Sequence, residues 1–141
     1  MAYLNAINSV TQTVVADGYL VYDTKAVSGC NSCCNQGILF TAGSNTITLR
    51  KAGTYLVTVN ANITPTAAGD ISLQLVKNGV AVPSANATAT GVAATTFPAS
   101  FTTLITVLPS CRAINNVASL QVQLTAAGTV TSTSFTAVKI A

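Results

Sequence analysis

The longest regular pattern in the chain lies within residues 49–64 and follows a turn at Lys51–Gly53. Apolar side chains occupy every second position from Tyr55 to Ile63, with Thr and Asn between them and Leu56 as the one apolar exception. Because successive strand side chains point to opposite faces, this alternation predicts a strand of about ten residues with one face on a core. A strand of that length needs neighbours on both sides and a second layer that covers its apolar face.

Shorter alternating or apolar runs predict the remaining strands, and turn signals such as Asp17-Gly18 and Asn78-Gly79 separate them. The predicted strands are Tyr19–Tyr22, Ile38–Phe40, Thr46–Leu49, Asp70–Lys77, Val80–Val82, Phe97–Val107, Ser119–Thr125 and Thr131–Ile140. Residues 23–37 are expected to form a polar loop, and residues 83–96 a loop or a weakly patterned edge strand. No segment has a helical apolar stripe longer than two turns. The sequence therefore predicts an all-β chain with antiparallel strands, a β-sandwich or jelly roll.

The length of 141 residues fits one domain with a substantial core. We expect residues 1–16 to be an extended docking segment and residues 17–141 to be the jelly-roll domain.

Only 6% of the residues are charged, against about 25% in ordinary soluble domains. The net charge of +3 is scattered, so there is no basic stripe for nucleic acid. No apolar run is long enough for a membrane helix, and the N-terminus lacks a signal-peptide pattern.

Residues that could carry catalysis are nearly absent. The chain contains no His and no Glu, which removes the usual Ser-His-Asp and Cys-His arrangements and His-based metal sites. Asp17 and Asp23 could meet across a hairpin as a carboxylate pair, although turn chemistry explains both more simply. The sequence therefore predicts a protein that is not an enzyme, with no catalytic residue and no cofactor.

The four cysteines form the one sharp cluster. Cys30, Cys33 and Cys34 lie in one predicted loop and Cys111 in another. Cys30-x-x-Cys33 has the spacing of half a structural zinc site, but a second such pair is missing. Free thiols and disulfides, within one chain or between chains, are the alternatives, and the sequence does not choose among the three.

The order of features from about residue 45 onward resembles the C1q/TNF-like jelly-roll domain found in bacterial and phage proteins. The matching pieces are Thr46–Leu49, Ala52–Val57, Ile71–Pro83, Ser100–Val107 and Phe135–Ile140. A Gly-x-Tyr-x-Val strand followed by a strand that ends in Asn-Gly carries the resemblance, which covers about two thirds of the chain. The segments Leu4–Val10 and Leu108–Cys111 are also similar to small proteins of Firmicutes and their phages.

This resemblance implies a homotrimer in which one sheet of each jelly roll packs around a three-fold axis. The polar face of the longest strand is uncharged and suits such a contact, which would also cover a surface that has few charges to keep copies apart. The interface candidates are Thr58, Asn60, Asn62, Phe101 and Phe135.

Two functions follow as hypotheses. The first is a structural surface protein, most readily a head-decoration or fibre component of a phage virion, docked to a larger assembly through the N-terminal segment. A bacterial spore or cell-surface layer is the alternative setting. The second is an adhesin or receptor-binding module that recognises host glycan or protein through loops 23–37 and 83–97. Those loops contain almost no aromatic residues, which favours the structural role.

Overall fold

The computed structural model of the chain describes residues 1–29, 37–111 and 117–141. The described residues contain twelve strands and no helix, and hence no helix that could span a membrane. The strands form two six-stranded sheets whose pairings are all antiparallel. The apolar core lies between the two sheets. The predicted β-sandwich is confirmed.

The first sheet, here called sheet A, contains both ends of the chain. Its order is β10 (Phe97–Val107), β7 (Gly53–Pro65), β12 (Gly128–Lys139), β1 (Tyr3–Asn8) and β4 (Thr24–Gly29), with β2 (Gln12–Val14) also paired to β12. The second sheet, sheet B, covers the core side of sheet A. Its order is β5 (Ile38–Phe40), β6 (Ile47–Leu49), β11 (Ala118–Leu124), β8 (Gly69–Lys77) and β9 (Val80–Gly91), with β3 (Gly18–Tyr19) also paired to β11.

Strand β7 is the long strand that the alternation predicts, and it extends over thirteen residues between β10 and β12. Tyr55, Val57 and Val59 are fully buried on its core side, whereas the Thr and Asn positions face outward. Its neighbours pair with it over nearly its whole length, from Phe97 to Val107 on one side and along β12 on the other. These pairings satisfy the main-chain hydrogen-bonding groups on both edges of β7.

Two segments differ from the prediction. Residues 1–16 are not a separate segment, because β1 lies between β12 and β4 and places Leu4 and Ala6 in the core. Residues 24–29, expected to be loop, pair with β1 as strand β4 although five of the six residues are exposed. Pairing with a neighbouring strand forms these elements, and such a contact leaves no local apolar signature.

Strand β9 resolves the alternative that the sequence leaves open for residues 83–96. It is an edge strand that pairs with β8 from Gly69 to Lys77. Its only fully buried side chain is Ala85, which explains why its apolar pattern is weak. The predicted hairpin turn at Asn78-Gly79 is confirmed: both residues have positive φ, at 51° and 81°, as a type I′ turn requires.

Candidate functional site: the outer face of sheet A

Sheet A has a second face, directed away from the core, which we call the outer face. On strands β10, β7, β12 and β1, residues that lie directly opposite one another share a face, so the register defines rows of side chains across the sheet. None of the outward-facing positions of these four strands carries a charge. This neutrality sets the outer face apart as a candidate contact surface.

One row of the outer face is apolar. Leu56 on β7 lies opposite Leu104 on β10 and Val138 on β12, and Val138 lies opposite Tyr3 on β1. The exposed fractions are 58% for Leu104, 40% for Tyr3 and 37% for Leu56. We call these four residues the apolar row. A continuous line of large apolar side chains across four strands is a surface that favours contact with another molecule.

The neighbouring rows of the outer face are polar, and we call them the polar rows. They consist of Thr102, Thr58 and Thr136, then Ser100, Asn60 and Ser134, then Pro98, Asn62 and Ser132. The hydroxyl groups of Thr58 and Thr102 lie 3.1 Å apart. The side-chain amide of Asn60 donates to Ser134 Oγ at 3.3 Å, and that of Asn62 donates to Ser132 Oγ at 2.9 Å. Cross-strand hydrogen bonds therefore order this half of the outer face.

The polar rows surround a concavity of about 390 Å³. Its lining includes the amides of Asn60 and Asn62 and the hydroxyls of Ser100, Ser132 and Ser134. It also includes Ile7 and Pro98. The lining carries no charge, and most of its exposed surface is apolar, with the amides and hydroxyls as the hydrogen-bonding points. It is therefore suited to a neutral occupant that uses only these few hydrogen-bonding points, and water at the amides is one such occupant.

A bulge in β12 shapes the floor of this concavity. The register shifts between Val130 and Ser132, so Thr131 has no residue opposite it on β7. The buried Thr133 then donates its hydroxyl proton to the main-chain oxygen of Asn60 at 2.9 Å. The bulge thus ties β12 to β7 beneath the exposed amides.

Tyr22 lies behind the bulge, in the core. Its ring meets that of Phe135 edge to face with centroids 6.0 Å apart. Burial raises the pKa of the Tyr22 phenol. The nearby Thr133 hydroxyl is not in hydrogen-bonding geometry with the Tyr22 hydroxyl, which therefore has no hydrogen-bond partner among the described residues. By contrast, Tyr55 donates to the main-chain oxygen of Lys51 at 2.8 Å.

The structure separates the five predicted interface residues into two groups. Thr58, Asn60 and Asn62 lie on the outer face. Phe101 and Phe135 lie on the opposite side of sheet A, in the core, and are unavailable to a second molecule. The alternation singles out Leu56 only as an exception. It does not identify Tyr3, Leu104 or Val138, because cross-strand register brings these residues into one row.

At the edge of the outer face, the Tyr3 ring covers Gly29 on β4. A methyl group added at Gly29 would overlap this ring, so the absence of a side chain allows Tyr3 to lie flat there. An aromatic ring over a strand glycine replaces the packing that the glycine lacks. Tyr3 is therefore held at the end of the apolar row.

The other sequence-predicted residues do not form a site within the described part of the chain. Cys111 is exposed and free, while Cys30, Cys33 and Cys34 lie outside the described residues. No group of His, Cys, Asp or Glu among residues 1–29, 37–111 and 117–141 could hold a metal ion.

The three aspartates have separate surroundings. Asp17 has a φ of 61° in the turn before β3, where its main-chain oxygen accepts from Gln123. Asp70 accepts a hydrogen bond from Thr90 at 3.0 Å. One carboxylate oxygen of Asp23 is buried without a partner among the described residues. Asp17 and Asp70 therefore have structural roles in a turn and in a strand pair.

Comparison with known proteins identifies the fold. No protein-family model and no curated protein matches the chain. Among solved structures, the globular domain of zebrafish complement 1qA protein matches 100% of this chain and 98% of its own, with a TM-score of 0.73 and 12% identity. Eiger TNF from S. frugiperda matches 99% of this chain and 91% of its own, with a TM-score of 0.70 and 14% identity. PRD1 vertex protein P5 matches 99% of this chain and 97% of its own, with a TM-score of 0.61 and 16% identity. The chain therefore has the C1q/TNF-like jelly-roll fold.

Proposed function

We propose that this chain is a non-enzymatic structural protein that forms a homotrimer through the outer face of sheet A and decorates the surface of a phage virion. The observation that carries the proposal is the outer face itself, which combines the apolar row with uncharged polar rows. Around a symmetry axis, equivalent parts of one face approach each other, so a charged face would repel its own copies. A neutral face avoids this repulsion.

The energetics of the apolar row support association. Fully burying a Leu side chain is worth about 1.5–3 kcal/mol. Leu104 and Leu56 are 58% and 37% exposed, so burying what remains is worth about 1 kcal/mol for each. With about 1 kcal/mol as an upper value for the half-buried Val138 too, four residues in three copies give at most about 12 kcal/mol. Forming a trimer takes two association steps, each of which costs about 4–15 kcal/mol. The apolar row therefore supplies part of the driving force, and contacts outside the row supply the rest.

The virion setting rests on one similarity and on the sequence. One of the matched structures is named a vertex protein. The resemblance of the sequence to phage proteins points the same way. The N-terminal segment is not part of this proposal, because β1 and β2 are already paired within sheet A. Of the loops predicted for receptor binding, residues 24–29 belong to β4 and residues 83–91 to β9, while residues 30–36 lie outside the described residues. Among the described residues, no observation favours an adhesin over a structural role.

Light scattering tests the assembly. The expected mass is about 43 kDa, three times the 14.3 kDa of one chain, and a monomer at micromolar concentration would refute the proposal. Leu56→Asp should dissociate the trimer, whereas Leu39→Asp should not, because Leu39 is 39% exposed but lies on β5 of sheet B. A trimer that separates only in reductant would instead indicate disulfides between chains.

A second experiment tests the setting. Mass spectrometry of purified particles from the source should find this chain in virions at a fixed ratio to the shell protein. Finding it only in spore or cell-surface fractions would support the alternative setting and contradict the virion.

A further inference from the structure

We infer that in the homotrimer, on whose formation this inference rests, the outer face closes only along the apolar row. The polar rows then enclose a water-filled chamber that is complete only when partner copies supply its other walls. Each protomer contributes its concavity of about 390 Å³ to this chamber.

The polar rows have hydrogen-bonding capacity that is not used within one protomer. A side-chain amide has four hydrogen-bonding positions, two that donate and two that accept. Asn60 uses one of them, toward Ser134, and Asn62 uses one, toward Ser132. Dry packing of three copies would satisfy the remaining positions only where amides and hydroxyls of the copies met in register, and any position that missed would be an unfavourable buried polar group. Water in the chamber satisfies these positions.

The outer face is recessed at one end. The concavity lies at the end of the face that contains Asn62, Pro98 and Ser132, whereas Leu56 and Leu104 stand out at the other end. Registers across β10, β7 and β12 place the Thr58 row between the two ends. Contact along the apolar row therefore leaves the recessed polar end separated from the partner copies, with space that water fills.

Substitutions on one strand test this division, with the trimer dissociation constant as the measurement. Leu56→Asn places an amide in the dry contact, and we expect it to raise the constant at least tenfold. Asn62→Asp has nearly the same shape but adds a charge. At 0.5 M salt, which screens repulsion between copies, we expect it to change the constant less than threefold. If Leu56→Asn does not fold, as judged by circular dichroism, Leu104→Asn replaces it, because that side chain is more exposed.

The outcomes separate this inference from the proposed function. If both substitutions raise the constant tenfold or more, the polar rows are dry contacts, and the chamber is refuted while the trimer stands. If the wild-type chain is a trimer and neither substitution raises the constant tenfold, another surface makes the contact, and the chamber is again refuted. If the wild-type chain is a monomer, the proposed function fails and the inference fails with it.

Discussion

Replacing Tyr22 by Phe should leave the protein as stable as the wild type or more stable. The Tyr22 side chain is fully buried and its hydroxyl has no hydrogen-bond partner among the described residues. An unsatisfied buried hydroxyl costs about 1–3 kcal/mol, and removing its oxygen keeps the ring and its contact with Phe135. Because the vacated space is small, we expect a gain of about 0–2 kcal/mol in the free energy of unfolding.

Tyr55→Phe is the matched control, because it removes a hydroxyl that is satisfied. Tyr55 is fully buried and donates to the main-chain oxygen of Lys51 at 2.8 Å. Losing this hydrogen bond should cost about 1 kcal/mol, or about 3 °C in Tm for a chain of this size. Urea unfolding at one fixed protein concentration measures both variants, since assembly makes stability depend on concentration. A loss for Tyr22→Phe equal to that of Tyr55→Phe would refute the reasoning.

Two glycine variants and one glutamine variant test the backbone, and alkaline titration tests the buried phenol. Gly53→Ala should destabilise by about 2 kcal/mol or more in thermal unfolding, since Gly53 has a φ of 143° and its new methyl group would overlap the Ala141 carbonyl oxygen. Gly43→Ala, with a φ of 86° and open space around it, should cost less. Gln12→Ala should lower the free energy of unfolding by about 1–3 kcal/mol, because the Gln12 amide hydrogen-bonds both the N–H and the C=O of Val21 in the β3–β4 connection. An unchanged urea midpoint would contradict this. Burial raises the pKa of Tyr22. Above about pH 10 the unfolded chain loses this proton while the folded state keeps it. The free energy of unfolding should therefore fall as pH rises beyond that point. In Tyr22→Phe this fall should be shallower by up to about 1.4 kcal/mol per pH unit.

The sequence by itself determines the fold class and the side of β7 that faces the core. The two-residue period from Tyr55 to Ile63 assigns each side chain to a face without any knowledge of the neighbouring strands. The Asn78-Gly79 turn is equally local, since the positive φ values of a type I′ turn favour this pair. Both predictions depend only on the covalent geometry of a short segment.

Tertiary structure decides which strands lie side by side, and with them the candidate site. Nothing near Tyr3 indicates that it ends a row begun by Leu104, because residues about a hundred positions apart meet only through the pairings of β1, β12, β7 and β10. The same pairings make strands of residues 3–8 and 24–29, whose own patterns are weak. Register across strands is a property of the sheet. Alternation therefore predicts the faces of each strand, but only the assembled sheet brings the apolar row together.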